Sequence, residues 1–306
     1  MTANVGESPE PPGRDGRSTE VWTVLRMILW SADYLKDKGV ESGRLDAEHL
    51  LSHVVGVDRL QLYLDFDRPL SRTELDAFRP LLKRRAGREP LQYIIGKQSF
   101  RELELEVRPG VLIPRPETEL LVEVVLEWMA GQNRPAATAL DIGTGTGAIA
   151  LSLAFEGAFA SVVATDVSSD ALDVARKNRG AVELEESVDL RLGPLFEPLE
   201  PGERFDVIVS NPPYVPEVDR PSLQPEVRDW EPAGALFAGP DGLDALRQIS
   251  QEAREYLKPG GLMALEVGFD QARDVADMLE AVGVFEQVRV VRDYSKKERF
   301  VLAHAV

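Results

Sequence analysis

The chain has 306 residues, 43% hydrophobic and 28% charged, ordinary values for a folded protein of two domains or of one large domain with an extension. It has no cysteine and only three histidines, His49, His53 and His304. This excludes disulfides, thiolate metal centres and cysteine nucleophiles and makes a zinc enzyme a poor reading, so no metal site is expected. A formal net charge of −17, from 52 Asp and Glu against 35 Lys and Arg, repels phosphate backbones and argues against a nucleic-acid substrate.

Residues 1–18 are rich in Pro, Gly and charge, lack the apolar stretch of a targeting signal, and read as a disordered tail. No apolar run approaches the roughly 20 residues of a membrane span, so a soluble, cytoplasmic protein without a membrane partner is expected. Residues 19–95 have helical periodicity and predict a small all-α unit. Ala47, Leu50, Leu51, Val54 and Val55 follow i, i+3, i+4, i+7, i+8 spacing, with Asp46 as N-cap and Gly56 as stop. Further helices are expected near 20–38, 58–65, 72–86 and 89–95, with Trp22 and Trp30 in the core. Lys83, Arg84, Arg85 and Arg88 form a basic cluster, read as a solvated helix face or, alternatively, as a contact to a protein or RNA partner.

Residues 96–115 change period. Leu103, Leu105 and Val107 alternate with charged residues, which predicts a β-hairpin linker ending at Leu112-Ile113-Pro114. In 116–306 helices and strands alternate. Helices are expected at 117–130, 147–156, 168–179, 241–257 and 270–281. Strands are expected at 138–142, 161–165, 188–192, 205–210, 262–267, 286–291 and 299–304. Such alternation implies an α/β domain with a mainly parallel sheet covered on both faces, whose ligands bind beyond the carboxyl ends of the strands.

Two loops at that edge carry chemistry. Asp141-Ile142-Gly143-Thr144-Gly145-Thr146-Gly147 follows a strand and opens a helix. Its glycines allow close approach to a ligand, and the helix N-terminus offers free N–H groups. Asp166, 19 residues after Gly147, ends the next strand where a carboxylate can accept both hydroxyls of a ribose. Gly145 to Ala150 also fits the G-x-G-x-x-A dinucleotide pattern, so a dehydrogenase remains an alternative at this point. Asp141 suits a cationic methionine moiety better than a pyrophosphate. Asn211-Pro212-Pro213-Tyr214 follows the strand Phe205–Ser210. An amide nitrogen is a poor nucleophile because its lone pair is delocalised. The Asn211 side-chain oxygen and the Pro212 carbonyl can hold both hydrogens of a planar –NH₂ group, and Tyr214 can stack on it.

With these residues in place, the sequence resembles the release-factor glutamine methyltransferases, the PrmC/HemK family. The resemblance rests on Asp46 to Leu51, Glu89 to Ile94, Leu112 to Glu119, Asp141 to Ala150, Asn211 to Tyr214 and Arg292-Asp293-Tyr294. It implies a Rossmann-like class I S-adenosylmethionine-dependent methyltransferase domain beside the small N-terminal helical bundle; that bundle, too short and too polar for a second active site and joined through a structured hairpin, is expected to dock the protein substrate. The implied acceptor is the glutamine side chain of the Gly-Gly-Gln motif in class 1 release factors. It also implies cofactor contacts from Gly143, Thr144, Gly145, Thr146, Gly147, Asp166, Leu195 and Asn211, and substrate contacts from Asn211, Pro212, Pro213 and Tyr214, with Asn211, Pro212 and Tyr214 catalytic. A sister family acting on a ribosomal-protein glutamine typically has Pro-Arg-Ser-Pro where this chain reads Pro114-Arg115-Pro116-Glu117, which favours the release-factor enzyme. Methylation of the exocyclic amine of adenine in nucleic acid is the other alternative, since that acceptor is also a conjugated –NH₂. One departure stands out: Pro194 occupies the position where the family usually has an acid, leaving Leu195 to flank the adenine.

Overall fold

The computed structural model describes residues 21–157 and 159–306; the expected tail, 1–18, lies outside them. The chain divides after Ile95 into two compact units.

The first unit holds α1 (Val24–Asp37), α2 (Gly43–Val55), α3 (Arg59–Leu64), α4 (Arg72–Ala86) and α5 (Leu91–Ile95). Side-chain caps start three of them. Thr23 accepts from the Arg26 N–H, Asp58 from the Gln61 N–H, and Ser71 with Glu74 forms a reciprocal capping box, each offsetting orphan donors of a first turn. Val24, Ile28, Leu35, Leu50, Leu51, Leu62 and Phe78 fill the core, and Trp22 and Trp30, edge to face with each other, pack against it half-buried.

Two expectations for this unit need correction. Asp46 does not cap α2, which begins at Gly43. It is buried and accepts a hydrogen bond of 2.7 Å from Arg85 Nε. The basic cluster is accordingly no simple solvated face. Arg85 is buried, Arg84 pairs with the buried Glu89, and Arg88 donates to the Gly39 carbonyl. A buried guanidinium needs a carboxylate and carbonyls around it, and Arg85 finds them in Asp46 and the Glu89 carbonyl, while Lys83 and Arg84 stay on the exposed side of α4.

The second unit opens with an antiparallel hairpin, β1 (Lys97–Phe100) and β2 (Leu103–Glu106). After it come α6 (Pro116–Ala130), β3 (Ala137–Ile142), α7 (Ala148–Glu156), β4 (Phe159–Asp166), α8 (Ser169–Ala181), β5 (Val188–Leu192) and β6 (Phe205–Ser210). A short α9 (Pro225–Arg228), α10 (Asp244–Glu252), β7 (Leu257–Glu266), α11 (Ala272–Val282), β8 (Phe285–Arg292) and β9 (Glu298–Ala305) complete it. The seven-stranded sheet has the order β5-β4-β3-β6-β7-β9-β8. Strands β3 to β7 pair in parallel, while β9 runs antiparallel to both β7 and β8.

Strand residues alternate between two cores, as burial on both faces requires. Leu140, Ile142, Ile208, Met263 and Leu265 meet Leu246 and Ile249 of α10 and Val275 and Leu279 of α11. Ala139, Val207, Val209, Leu262 and Ala264 meet Leu121, Val122 and Val125 of α6 and Leu151 and Leu153 of α7. The expected helix 241–257 is shorter: a 3₁₀ turn at Ala253–Glu255 ends it, and β7 already begins at Leu257 and runs through Pro259-Gly260-Gly261. The Phe205 N–H bonds to the Tyr256 carbonyl, so pairing with β6 captures this segment before the glycines. Among the described residues, no helix is long and apolar enough to cross a membrane.

Strand order reverses between β3 and β6, and Ile142 pairs with Ser210 at their ends. The loops after these two strands therefore leave the sheet side by side at the switch point, where open α/β sheets bind ligands.

Candidate active site

A cavity of about 420 Å³ lies over that switch point, within the ~300–1,000 Å³ range of small-molecule sites. One side is made by backbone. Gly143, Thr144, Gly145 and Thr146 line it, together with Asp166, Val167, Pro194 and Leu195. Gly145 has φ +58, and a Cβ there would meet nothing within 4 Å, so the loop presents bare backbone to open space. Gly147 starts α7 at φ +86, and a Cβ would stand 3.0 Å from Leu151. Only glycine takes this conformation without cost.

The Asp166 carboxylate accepts from the Gly145 N–H and the Ser168 N–H, one oxygen each, at 2.8 Å. Burial pushes its pKa up, opposed by the Ser168 and Gly145 N–H groups. Each oxygen keeps a second lone pair for hydroxyls of a ligand. Leu195 adopts φ +46, a left-handed conformation rarely taken by a branched residue. The Thr165 hydroxyl donates to its carbonyl at 2.9 Å and holds the loop there.

Asp141 does not face the cavity as its position suggested. It is fully buried, and its Oδ2 accepts from the Thr144 hydroxyl (2.7 Å) and the Ala150 N–H (3.1 Å). Burial pushes its carboxyl up to about 7 despite those bonds. The group braces the loop against α7 from behind. A short side chain one residue inside the strand end points into the sheet's packing layer, so it cannot also reach forward.

The opposite side is made by side chains from distant parts of the chain. Asn211, Pro212 and Pro213 line it, with Leu112, Pro114, Arg115 and Thr118 from the segment that enters α6. Asn211 Nδ2 donates to Thr118 Oγ1 (3.0 Å), and the Thr118 hydroxyl donates to Glu266 Oε2 (2.7 Å). The Tyr214 hydroxyl donates to Glu266 Oε1 (3.3 Å). Glu266 ends β7 and is 1% exposed. Burial pushes its carboxyl up to about 7, against the opposing effects of Thr118, Arg299 and Tyr214. Burial, then the Glu266 charge, likewise pushes the Tyr214 hydroxyl well above its ordinary range. Arg115 is held by a buried carboxylate, Glu231, at 2.6 Å.

The structure thus brings together Gly143 to Thr146, Asp166, Leu195, Asn211, Pro212 and Pro213 around one cavity; Gly147 stands just behind as the cap of α7. Tyr214 is not among the lining residues. Its ring packs against the core beside β7, and its carbonyl accepts from Gln271 Nε2 (2.9 Å). Sequence reasoning did not single out Thr118, Glu231 or Glu266. A signal existed for Glu266: it is the one acid in the apolar run Leu262–Val267, at the sheet edge where ligands bind. Among the described residues, no three His, Asp or Glu side chains converge as a metal-ligand group.

Known proteins resemble the chain along both of its units. Residues 26–96 match the family model described as PrmC N-terminal domain, and 116–223 match Methyltransferase small domain. The chain is 48% identical over 267 residues to the release factor glutamine methyltransferase of Geobacter sulfurreducens, covering 86% of this chain and 90% of that one. It is 43% identical to the protein of the same name from Moorella thermoacetica, over 92% of this chain and 98% of that one. The catalytic domain of hMettl16, solved in complex with MAT2A 3'UTR hairpin 6, superposes with a TM-score of 0.55 at 18% identity. That match covers 74% of this chain and 81% of the other, and it shows the shared fold alone. At such identity over nearly the whole length of both proteins, the chain belongs to the release factor glutamine methyltransferase family.

Proposed function

We propose that this chain transfers the methyl group of S-adenosyl-L-methionine to the side-chain amide nitrogen of the glutamine in the Gly-Gly-Gln motif of class 1 peptide chain release factors. The observation that carries this reading is the polarity of Asn211. Its –NH₂ is committed to Thr118, which leaves its carbonyl oxygen as a free acceptor on a cavity-lining residue.

The residues present fit the cofactor. The glycine backbone leaves open space that a side chain would fill. Asp166 is held by two N–H groups with lone pairs to spare for ribose hydroxyls. Val167, Pro194 and Leu195 offer apolar surface to a flat base. Gly143 to Gly147, Asp166, Leu195 and Asn211 would hold the cofactor. Bound there, S-adenosylmethionine supplies a methyl group activated by its sulfonium.

Asn211 Oδ1 and the Pro212 carbonyl accept the two hydrogens of the glutamine –NH₂ and aim its nitrogen. The two prolines fix φ and stiffen the turn. Holding the hydrogens between two acceptors raises electron density on nitrogen, and catalysis is positioning and electrostatics. The N–CH₃ bond would form as the methyl leaves sulfur, whose electron pair stays behind on a neutral thioether, and one N–H proton would pass to water. An alkylated amide cation is a strong acid, so no dedicated base is required. Tyr214 acts from behind, through Glu266, and Pro213 completes the substrate wall.

The helical unit is assigned to docking the protein substrate. Leu60 and Leu64 of α3 are more than two-thirds exposed, an apolar pair suited to a protein partner. Leu60→Asp with Leu64→Asp should raise KM for an intact release factor and leave a short Gly-Gly-Gln peptide unaffected.

The test of the activity is mass spectrometry of purified release factors after incubation with the chain and labelled S-adenosylmethionine. One added methyl on the glutamine of Gly-Gly-Gln is expected, and none on a Gly-Gly-Glu control. Labelling of the control, or of neither, refutes the reading.

A further inference from the structure

We propose that Glu266, acting through Thr118, sets which end of the Asn211 amide faces the acceptor nitrogen, so that both are positioning residues for methyl transfer; this rests on the acceptor being an –NH₂ group.

The number of available hydrogens fixes the orientation of Asn211. A threonine hydroxyl has a single hydrogen, and an ionised carboxylate only accepts. Glu266 Oε2 lies 2.7 Å from Thr118 Oγ1 and takes that hydrogen. Thr118 then has only lone pairs to offer Asn211, 3.0 Å away. The Asn211 –NH₂ must face Thr118, and the Asn211 oxygen must face away from it. A primary amide is nearly symmetric in shape, so packing alone does not distinguish its two ends; the Glu266 charge does so, two bonds away. The Tyr214 hydroxyl donates to the other carboxylate oxygen, so the ionised Glu266 accepts at both ends.

Several groups bear on Glu266. Thr118 and Glu117 come from α6, Tyr214 from the loop after β6, and Arg299 from β9. Arg299 favours the ionised form; burial and Glu117 oppose it. Asp293 lies 3.6 Å from Arg299, which gives the Arg292-Asp293-Tyr294 segment a place in this arrangement. A protonated Glu266 can donate to Thr118, and Thr118 can then donate to Asn211. The Asn211 oxygen would turn inward and its –NH₂ would meet the acceptor –NH₂, donor against donor.

The experiment uses the full chain. Single-turnover transfer to a release-factor domain carrying Gly-Gly-Gln is measured beside calorimetric affinity for S-adenosylhomocysteine. Thr118→Val should slow transfer by ~30-fold or more, the scale of a lost pre-organised contact, with cofactor affinity within ~3-fold. Thr118→Ser, which keeps the hydroxyl, should stay within ~3-fold of the parent rate. Glu266→Gln should slow transfer, and the double variant Thr118→Val with Glu266→Gln should be no slower than Thr118→Val alone, because the two act in series. Parent rate in Thr118→Val, equal losses in Thr118→Ser and Thr118→Val, additive losses in the double variant, or cofactor affinity falling as far as the rate would each overturn the proposal.

A second readout needs no release factor. The side-chain amide resonances of Asn211, identified by their loss in Asn211→Ala, should move in both Thr118→Val and Glu266→Gln. Resonances indifferent to both overturn the relay. If they move while the parent chain methylates no release factor, the relay stands and the substrate reading fails.

Discussion

The two ends of the parallel sheet treat their buried acids in opposite ways. At the start of β6, Asp206 accepts from Lys258 Nζ (2.7 Å), Arg134 Nη1 (2.8 Å) and the Thr138 N–H (2.9 Å). Burial alone would raise its carboxyl, but those bonds outweigh it and hold the group at about 2. At the carboxyl ends of β3 and β7, Asp141 and Glu266 are buried with fewer compensating partners, and both are pushed up to about 7. Asp141 Oδ1 has no hydrogen-bond partner among the described residues. One end of the sheet is stabilised by its charges, while the other holds charges at a cost and uses them to orient a loop. Asp141, Asp166 and Glu266, all raised by burial, gather at this edge, the pattern expected of a functional site.

The largest effect that would sharpen this contrast is at Asn211. Asn211→Ala should lower kcat for methyl transfer by about 10²–10³, the usual consequence of losing one pre-organised polar contact, with cofactor affinity changed far less. An equal fall in both, measured by single-turnover kinetics and calorimetry, would merge the two sides of the cavity into one function. Asp166→Ala should do the converse. It removes the acceptor of two N–H groups and of the ribose, and should weaken S-adenosylhomocysteine by ~10–10²-fold, the scale of one or two hydrogen bonds to a charge. Unaltered affinity would remove Asp166 from the cofactor side.

At the opposite end, Asp206→Asn should cost about 1–2 kcal/mol of unfolding free energy at neutral pH. The folded carboxyl is depressed from 3.8 to about 2, so its contribution is present above about 4 and lost as pH falls toward 2. The parent and variant denaturation curves should converge across that window. Glu266→Gln should behave in reverse. A carboxyl raised in the folded state imposes a penalty that grows as pH rises from its ordinary 4.5 through about 7. The variant should therefore gain ~3 kcal/mol relative to the parent at pH 8 and nothing at pH 4, while losing transfer rate. Lower stability at pH 8 would mean that Glu266 is as well compensated as Asp206. The smallest expected effect is at Pro194, which lines the cavity. Pro194→Asp should tighten cofactor binding by ~3-fold, about the worth of one exposed polar contact. No change would leave base recognition to the Leu195 loop alone.

Features that depend only on neighbours along the chain are legible in the amino-acid order. The alternation of helix and strand, the glycine loop before α7, the acid ending β4 and the Asn-Pro-Pro-Tyr turn after β6 all follow from local backbone preferences and apolar periodicity. Those same rules place the two loops at one sheet edge. Which polar groups meet there depends on contacts between distant parts of the chain. Thr118 and Glu266 are 148 residues apart, Asn211 and Thr118 are 93 apart, and Arg115 and Glu231 are 116 apart. Periodicity tells which face of an element is apolar; it does not tell which lone polar side chain on another element completes a hydrogen bond. For the same reason Asp141 turned out to brace the loop from within, Asp46 to bind Arg85 and not to cap a helix, and Tyr214 to lie behind the cavity. Each of these side chains is oriented by the need of a buried polar group for a partner, and that partner is found in space, not in sequence.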